Sequence, residues 1–399
     1  MAAGQSETNE AQPSLFDGSV LSDVRDPYPM FAAMRQTQRV PSVDVEGLTF
    51  YLLLRYDDVA AAFKAPDVFS SKIMRQVMGP VMGRTILEMD GREHTMHRGL
   101  LSHAFRQQAI DRYRTKIVEP LVDDLIERIR RNGDRAELVA QLTTNYPLIV
   151  IAKLAGVPID DYAQFQRWSL AIIGYRNTRP EPGLAASRAL KEYLAPVVAQ
   201  RRTEPQDDLI SDLVQAEVEG HRLSDEEIFA FLLLLLPAGA ETTFRLLGNL
   251  LYSLLSHPEA LDLVRSDRSQ LHWALEETLR WETPLIGTAR MTTRAVTVGD
   301  VEIPADARVS IMMGPANRDP DHYPDPDRFD IHRHADDHLS FGLGKHFCLG
   351  YHLARLEVTT AVNAVLDRLP NLRLDPQEEC WIQGVSFRSP NKLPVVFDG

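Results

Sequence analysis

Apolar positions recur three and four residues apart over most of the chain up to Trp281, which predicts a protein built mainly of helices. Asp26-Pro27-Tyr28-Pro29 is turn chemistry that opens a short helix through Met30, Phe31 and Met34. Residues 48–54 read as a strand, with 43–45 as its partner. Residues 70–89 interrupt the helical pattern with Gly79-Pro80, Gly83 and the methionines Met74, Met78, Met82 and Met89. From 288 to 313 the pattern changes to short β runs, with turns at Gly299-Asp300 and Pro304-Ala305. Residues 317–338 form a long polar loop, 349–369 a further helix, and the tail alternates as a strand pair. The expected architecture is mainly α with a minor β part: a lead-in over 1–22, then a single domain over 23–399.

The strongest local signal is a long apolar helix. Ser224 is placed as its N-cap, Glu227 completes a capping box, and Leu223 and Ile228 can staple its first turn. His257-Pro258 stops it after Ser256, so it spans about 48 Å, enough to cross a domain. Its middle is apolar on every face and belongs in the core. Inside it lies Pro237-Ala238-Gly239-Ala240-Glu241-Thr242-Thr243, poor chemistry for a helix interior. Broken local rules in a buried helix mark functional or strained sites. The plainer alternative is a kink in which Thr242 bonds back to the Ala238 carbonyl.

Composition narrows the class. The 399 residues carry 43 Lys+Arg against 56 Asp+Glu, a net charge of −13, which argues against nucleic acid as a partner. Hydrophobic residues at 44% and charged residues at 25% are globular values, which exclude collagen-like and disordered classes. The two cysteines, Cys348 and Cys380, cannot make a disulfide framework, and a reducing compartment follows. The N-terminus lacks the pattern of a secretory signal. The charge-free run 228–240, flanked by Glu227 and Glu241, falls short of the roughly 18 residues a membrane span needs. A cytoplasmic protein without a membrane anchor is expected.

The second anomaly is Phe341-Gly342-Leu343-Gly344-Lys345-His346-Phe347-Cys348-Leu349-Gly350, a glycine-rich loop that presents one cysteine just before a helix. The helix N-terminus would stabilise a thiolate, and Gly344 and Gly350 would let backbone approach a flat bulky group. The pattern Phe341-x-x-Gly344-x-x-x-Cys348-x-Gly350 resembles the haem-binding loop of the cytochrome P450 family. Glu277-Thr278-Leu279-Arg280 is similar to the family's E-x-x-R, two side chains on one helix face that can pair. Pro326-Asp327-Arg328-Phe329 is similar to the element whose arginine, here Arg328, joins that pair. Ala238-Gly239-Ala240-Glu241-Thr242 is similar to the family's oxygen-activation segment. The resemblance runs from about Asp26 to Phe397.

That resemblance implies haem b (iron protoporphyrin IX), Cys348 as the iron ligand, and His94, Arg98, Arg290 and His346 as partners of its propionates. It implies a monooxygenase that inserts one atom of O2 into a C–H bond of an apolar small molecule. Electrons would come from NAD(P)H through an iron–sulfur ferredoxin and its reductase. Thr242 would bond the bound oxygen, Glu241 would relay protons, and Gly239 would leave room for dioxygen beside Ala238. Family position places Met78, Met82, Ile86, Leu87, Leu234, Leu235, Ala238, Leu285, Ile286, Val385 and Phe387 around the substrate. Lys345, Arg92 and Arg106 are expected to form a basic face for the ferredoxin. The competing readings are a peroxide-driven peroxygenase and a haem-binding protein without turnover; an intact Glu241-Thr242 pair speaks against both.

Overall fold

In the computed structural model, which describes residues 24–398 except 46, 103, 104, 106, 158–161 and 175–179, helices dominate and five short strands form the largest sheet. The segment 1–22, expected as a lead-in, and Arg106 of the expected basic face lie outside the described residues.

The central helix spans Asp225–Ser256 and has both halves of the expected capping box: the Glu227 N–H reaches Ser224 Oγ, and the Ser224 N–H reaches Glu227 Oε2. It ends where the His257 N–H bonds the Leu254 carbonyl, and Pro258 begins the next helix. By length and composition this helix could cross a membrane, but 67% of its most apolar window is buried inside the protein. Its apolar faces meet Asn145–Ala155 on one side and Tyr351–Arg368 on another, at the centre of the largest core cluster. The pattern is therefore that of a core helix, apolar all round because it is surrounded.

The sheet orders its strands Ser42–Val45, Leu48–Leu53, Arg308–Ile311, Thr288–Thr292 and Phe69–Ser70. Leu48–Leu53 and Arg308–Ile311 run parallel; the other neighbours are antiparallel. The sheet carries its own core cluster with the helix Tyr56–Lys64. Residues 70–89 fold as short turns of helix, Ser71–Ile73, Met74–Val77 and Gly79–Met82, as their glycines and proline foretell. The tail hairpin pairs Ile382–Gln383 with Ser389–Pro390. This framework sets the cysteine loop against the helices Gly91–Ser102 and Tyr56–Lys64, and the strand Thr288–Thr292 carries Arg290 to the Phe63 ring.

Candidate active site

Cys348 sits just before the N-cap of the Tyr351–Arg368 helix, and its N–H bonds the Phe341 carbonyl at 2.8 Å, closing the loop. Burial pushes its thiol above the ordinary value, against the Gly350 N–H and the charges of Arg98 and Arg355. Helix-terminal stabilisation is thus present, but desolvation outweighs it until a cation binds the sulfur. Cys380 lies half-buried in the tail. The two loop glycines do different work. Gly344 has φ +72°, and a Cβ there would stand 2.8 Å from the Phe63 carbonyl, so backbone approach to the Tyr56–Lys64 helix requires glycine. At Gly350 a Cβ would meet nothing within 4 Å.

Around this cysteine lie four basic side chains. Arg290 is buried, yet its hydrogen bonds among the described residues go to the Thr288 hydroxyl and the Ala289 carbonyl, with the Phe63 ring beside it. Burial pulls its pKa down to about 10, and the Asp90 charge opposes this weakly. Arg98 donates to the Phe347 carbonyl at 2.7 Å, and burial also lowers its pKa. His94 Nε2 is buried without a hydrogen-bond partner; desolvation, then His346 and Arg98, push it down to about 4. His346 stacks against His94 at 4.0 Å and is oriented by Ser71 and Asp90. Neither Arg98 nor Arg290 forms an ion pair with a carboxylate of the described residues. Buried cations of this kind are costly unless an anion answers them. A dianionic flat group set over a buried thiolate fits this donor set, and the two propionates of a haem have that chemistry.

On the central helix, Thr242 Oγ1 donates to the Ala238 carbonyl at 2.9 Å, as the kinked-helix reading expects. Ala238 is exposed, while Pro237 and Ala240 beside it are buried. Gly239 is half-buried, and a Cβ there would lie 3.2 Å from Ile151 Cδ1, so this glycine allows close packing against Asn145–Ala155. Glu241 is ion-paired to Arg245, Oε1 to Nη2 at 2.6 Å, and its buried Oε2 has no hydrogen-bond partner. Arg245 also bonds Ser389 Oγ at 3.0 Å and lies over the Phe387 ring, tying the central helix to the tail hairpin. The i,i+4 spacing of Glu241 and Arg245 is a signal that could have revealed this pair.

Glu277 and Arg280 pair as expected, bidentate at 2.7 Å and fully buried. The third arginine is not Arg328. Its side chain is solvent-exposed beside Asp330 and only its carbonyl accepts from Arg280. Arg333 takes that place, 3.6 Å from Glu277 Oε1, because the turn Ile331–Arg333 carries it back beneath the loop. A second cluster escaped notice in the sequence: Glu276 receives two bonds from Arg355 at 2.7 Å and one from His338 at 3.0 Å, bracing the cysteine loop's helix.

The expected substrate-lining residues divide. Leu285 and Phe387 pair across a β-bridge next to Arg245. Ile286 and Val385 pack instead into a core cluster with Tyr28, Phe31, Leu52, Leu54 and Met312. Met82, Leu234 and Leu235 are buried in the main core, with Met78, Ile86 and Leu87 packed against it. On the basic face, Lys345 is exposed, but Arg92 is paired with Glu219 at 3.0 Å and is not a free cation.

The cytochrome P450 family model matches residues 181–382. "Cytochrome P450 107B1" of Saccharopolyspora erythraea is 38% identical over 93% of this chain and 95% of its own length. The "6-deoxyerythronolide B hydroxylase" of the same organism is 35% identical over 94% of this chain and 96% of its own. The crystal structure of CYP109E1 from Bacillus megaterium in complex with testosterone superposes with a TM-score of 0.85 at 30% identity, covering 94% of this chain and all of that one. A desolvated, half-buried thiol near two arginines that no carboxylate pairs among the described residues, on a fold and sequence shared nearly end to end with such enzymes, has one consistent meaning: the chain belongs to the cytochrome P450 family and is a haem-iron monooxygenase.

Proposed function

We propose that this enzyme hydroxylates a C–H bond of an apolar small molecule in the cytoplasm, with haem b as cofactor and electrons from NAD(P)H through a ferredoxin and its reductase. The observation that carries the reading is the buried Arg290 and the half-buried Arg98, both desolvated and without a carboxylate partner among the described residues, near the desolvated thiol of Cys348. Cys348 would ligate the iron, while His94, Arg98, Arg290 and His346 would hold the propionates. When bound, the haem supplies the redox chemistry that activates dioxygen and oxidises the substrate carbon. A relative named for hydroxylation and a solved relative holding testosterone support an apolar substrate.

The chain's own part is proton delivery and positioning. Thr242 can rotate its hydroxyl away from the Ala238 carbonyl and order a water. Glu241 can carry a proton on Oε2, the oxygen that Arg245 leaves free, between the solvent side and that water. Arg245, held by Ser389, fixes the direction in which the carboxylate swings. Leu285 and Phe387 sit where the substrate would press on the hairpin side.

The test measures product, peroxide and NADH together. Thr242→Ala should bind haem and substrate normally but divert NADH into hydrogen peroxide. Glu241→Gln should slow turnover more than it uncouples it. If both residues only shape the helix, product per NADH stays unchanged and stability or substrate binding falls instead. Should the hairpin link matter as argued, Arg245→Leu should uncouple less than Thr242→Ala.

A further inference from the structure

We propose that His97, His221 and Glu227 form a site for a divalent transition ion of the zinc class, which clips a β-hairpin to the helix Gly91–Ser102 and to the start of the central helix. Their ligand atoms all lie within 4.8 Å of one another. Two imidazoles and a carboxylate are a donor set that zinc favours over calcium or magnesium.

Each side chain is prepared by its surroundings. His97 Nδ1 lies 3.0 Å from the Glu93 carbonyl, an oxygen that can only accept, so Nδ1 carries the hydrogen. This carbonyl-held orientation is what metal-bound histidines typically have, and it turns Nε2 toward Glu227 Oε1 at 2.8 Å. Glu227 divides its oxygens. Oε2 takes the N–H and hydroxyl of Ser224 in the capping box, which leaves Oε1 for the histidines.

His221 comes from the hairpin of Glu217–Val218 with His221–Arg222, whose turn residues Glu219 and Gly220 both have positive φ, 53° and 78°, as a tight two-residue turn requires. Val218 packs near Gly99, where a Cβ would stand 3.7 Å away, and Glu219 pairs with Arg92. These contacts bring His221 Nε2 to 3.8 Å from Glu227 Oε1, buried and without a hydrogen-bond partner. A protonated His97 would satisfy Glu227 but would leave this nitrogen unanswered; a metal ion answers all three. Zinc bonds of about 2.0–2.1 Å in tetrahedral geometry place ligand atoms roughly 3.3 Å apart. Separations of 2.8 and 3.8 Å reach that value by shifts of about half an ångström. A small pocket beside His97, Glu227 and Thr85 has room for about one water as the fourth ligand.

The experiment uses haem-loaded enzyme, so that Cys348 is occupied, treated with a chelator, incubated with zinc chloride and desalted. One zinc per chain should remain, and its X-ray absorption edge should show nitrogen and oxygen ligands with imidazole scattering. His221→Ala and His97→Gln should each weaken zinc binding more than about tenfold, while the surface variant His332→Ala keeps it. The thiolate-type carbon monoxide spectrum, which reports the haem site, should be the same in parent and His221→Ala. The proposal fails if the parent retains no zinc, if both ligand variants retain as much as the parent, or if the zinc shows sulfur ligation.

Discussion

Two clusters of desolvated charge in this protein, one around Glu277 and one around Cys348, are completed in different ways. Around Glu277 the answer is internal. Arg280 makes two bonds to that carboxylate and further bonds to the carbonyls of Asn317, Pro326 and Arg328, while the Asp330 N–H reaches the same carboxylate. Around Cys348 the chain leaves the account open. Arg290, Arg98 and His94 are desolvated; Asp90 opposes this at Arg290 and His94, but no carboxylate among the described residues forms an ion pair with either arginine. The first cluster is a finished brace that fixes the loop beneath the helices. The second is a binding site, because only an added anion makes its burial favourable. A polar group buried with all its partners points to structure, and one buried without them points to a ligand.

The difference can be broken at its strongest point first. Arg280→Ala leaves Glu277 charged in the core without its bidentate partner, with only Arg333 at 3.6 Å and the Asp330 N–H remaining, and costs about 3–5 kcal/mol. The variant should give little folded protein, seen as a collapsed denaturant midpoint with or without haem. Arg290→Leu should act oppositely on the two forms. The haem-free protein should be as stable as the parent or more so, while haem retention weakens by about 1.5–3 kcal/mol, roughly ten- to a hundredfold in transfer to an acceptor protein. Equal destabilisation of both forms would make Arg290 a structural residue.

Acid separates the clusters by pH window. Burial pushes the Glu276 carboxyl up, but Arg355 and His338 prevail and hold it at about 2, below the ordinary 4.5. Its contribution is therefore complete above 4.5 and lost as pH falls toward 2. His94, held down at about 4 chiefly by desolvation, is neutral when folded and takes a proton when unfolded. Its burial begins to oppose folding as pH falls below 6.5, and the penalty is complete by about 4. Denaturant midpoints of haem-free protein across pH should lose the lower limb in Glu276→Gln and the upper limb in His94→Gln. The smallest effect belongs to Arg328→Ala, within about 0.5 kcal/mol, since its side chain is in solvent. A loss as large as that of Arg333→Ala would restore Arg328 to the brace.

Much of this was legible in the sequence because it is local. The Ser224–Glu227 cap, the stop at His257-Pro258, the cysteine loop and the Glu277–Arg280 pair depend on residues within a turn of each other. What was not legible depends on which way a side chain faces once distant elements meet. Gly239 reads as a gap but fills with Ile151 from another helix. Ile286 and Val385 read as pocket but pack against Tyr28, Phe31 and Met312 from distant elements. Arg333 displaces Arg328 through the path of a polar loop, and Glu276 meets His338 and Arg355 from 62 and 79 residues away. Arg245 was within reach of helix spacing alone.

The central claim is that Cys348, near two arginines that no carboxylate pairs among the described residues, is the iron ligand. The direct measurement is the absorption spectrum of the reduced, carbon monoxide-treated protein for the parent, Cys348→Ser and Cys380→Ser. The parent and Cys380→Ser should show the red-shifted Soret band of thiolate-ligated haem, and Cys348→Ser should lose it. Loss of the band in Cys380→Ser with retention in Cys348→Ser would contradict the account.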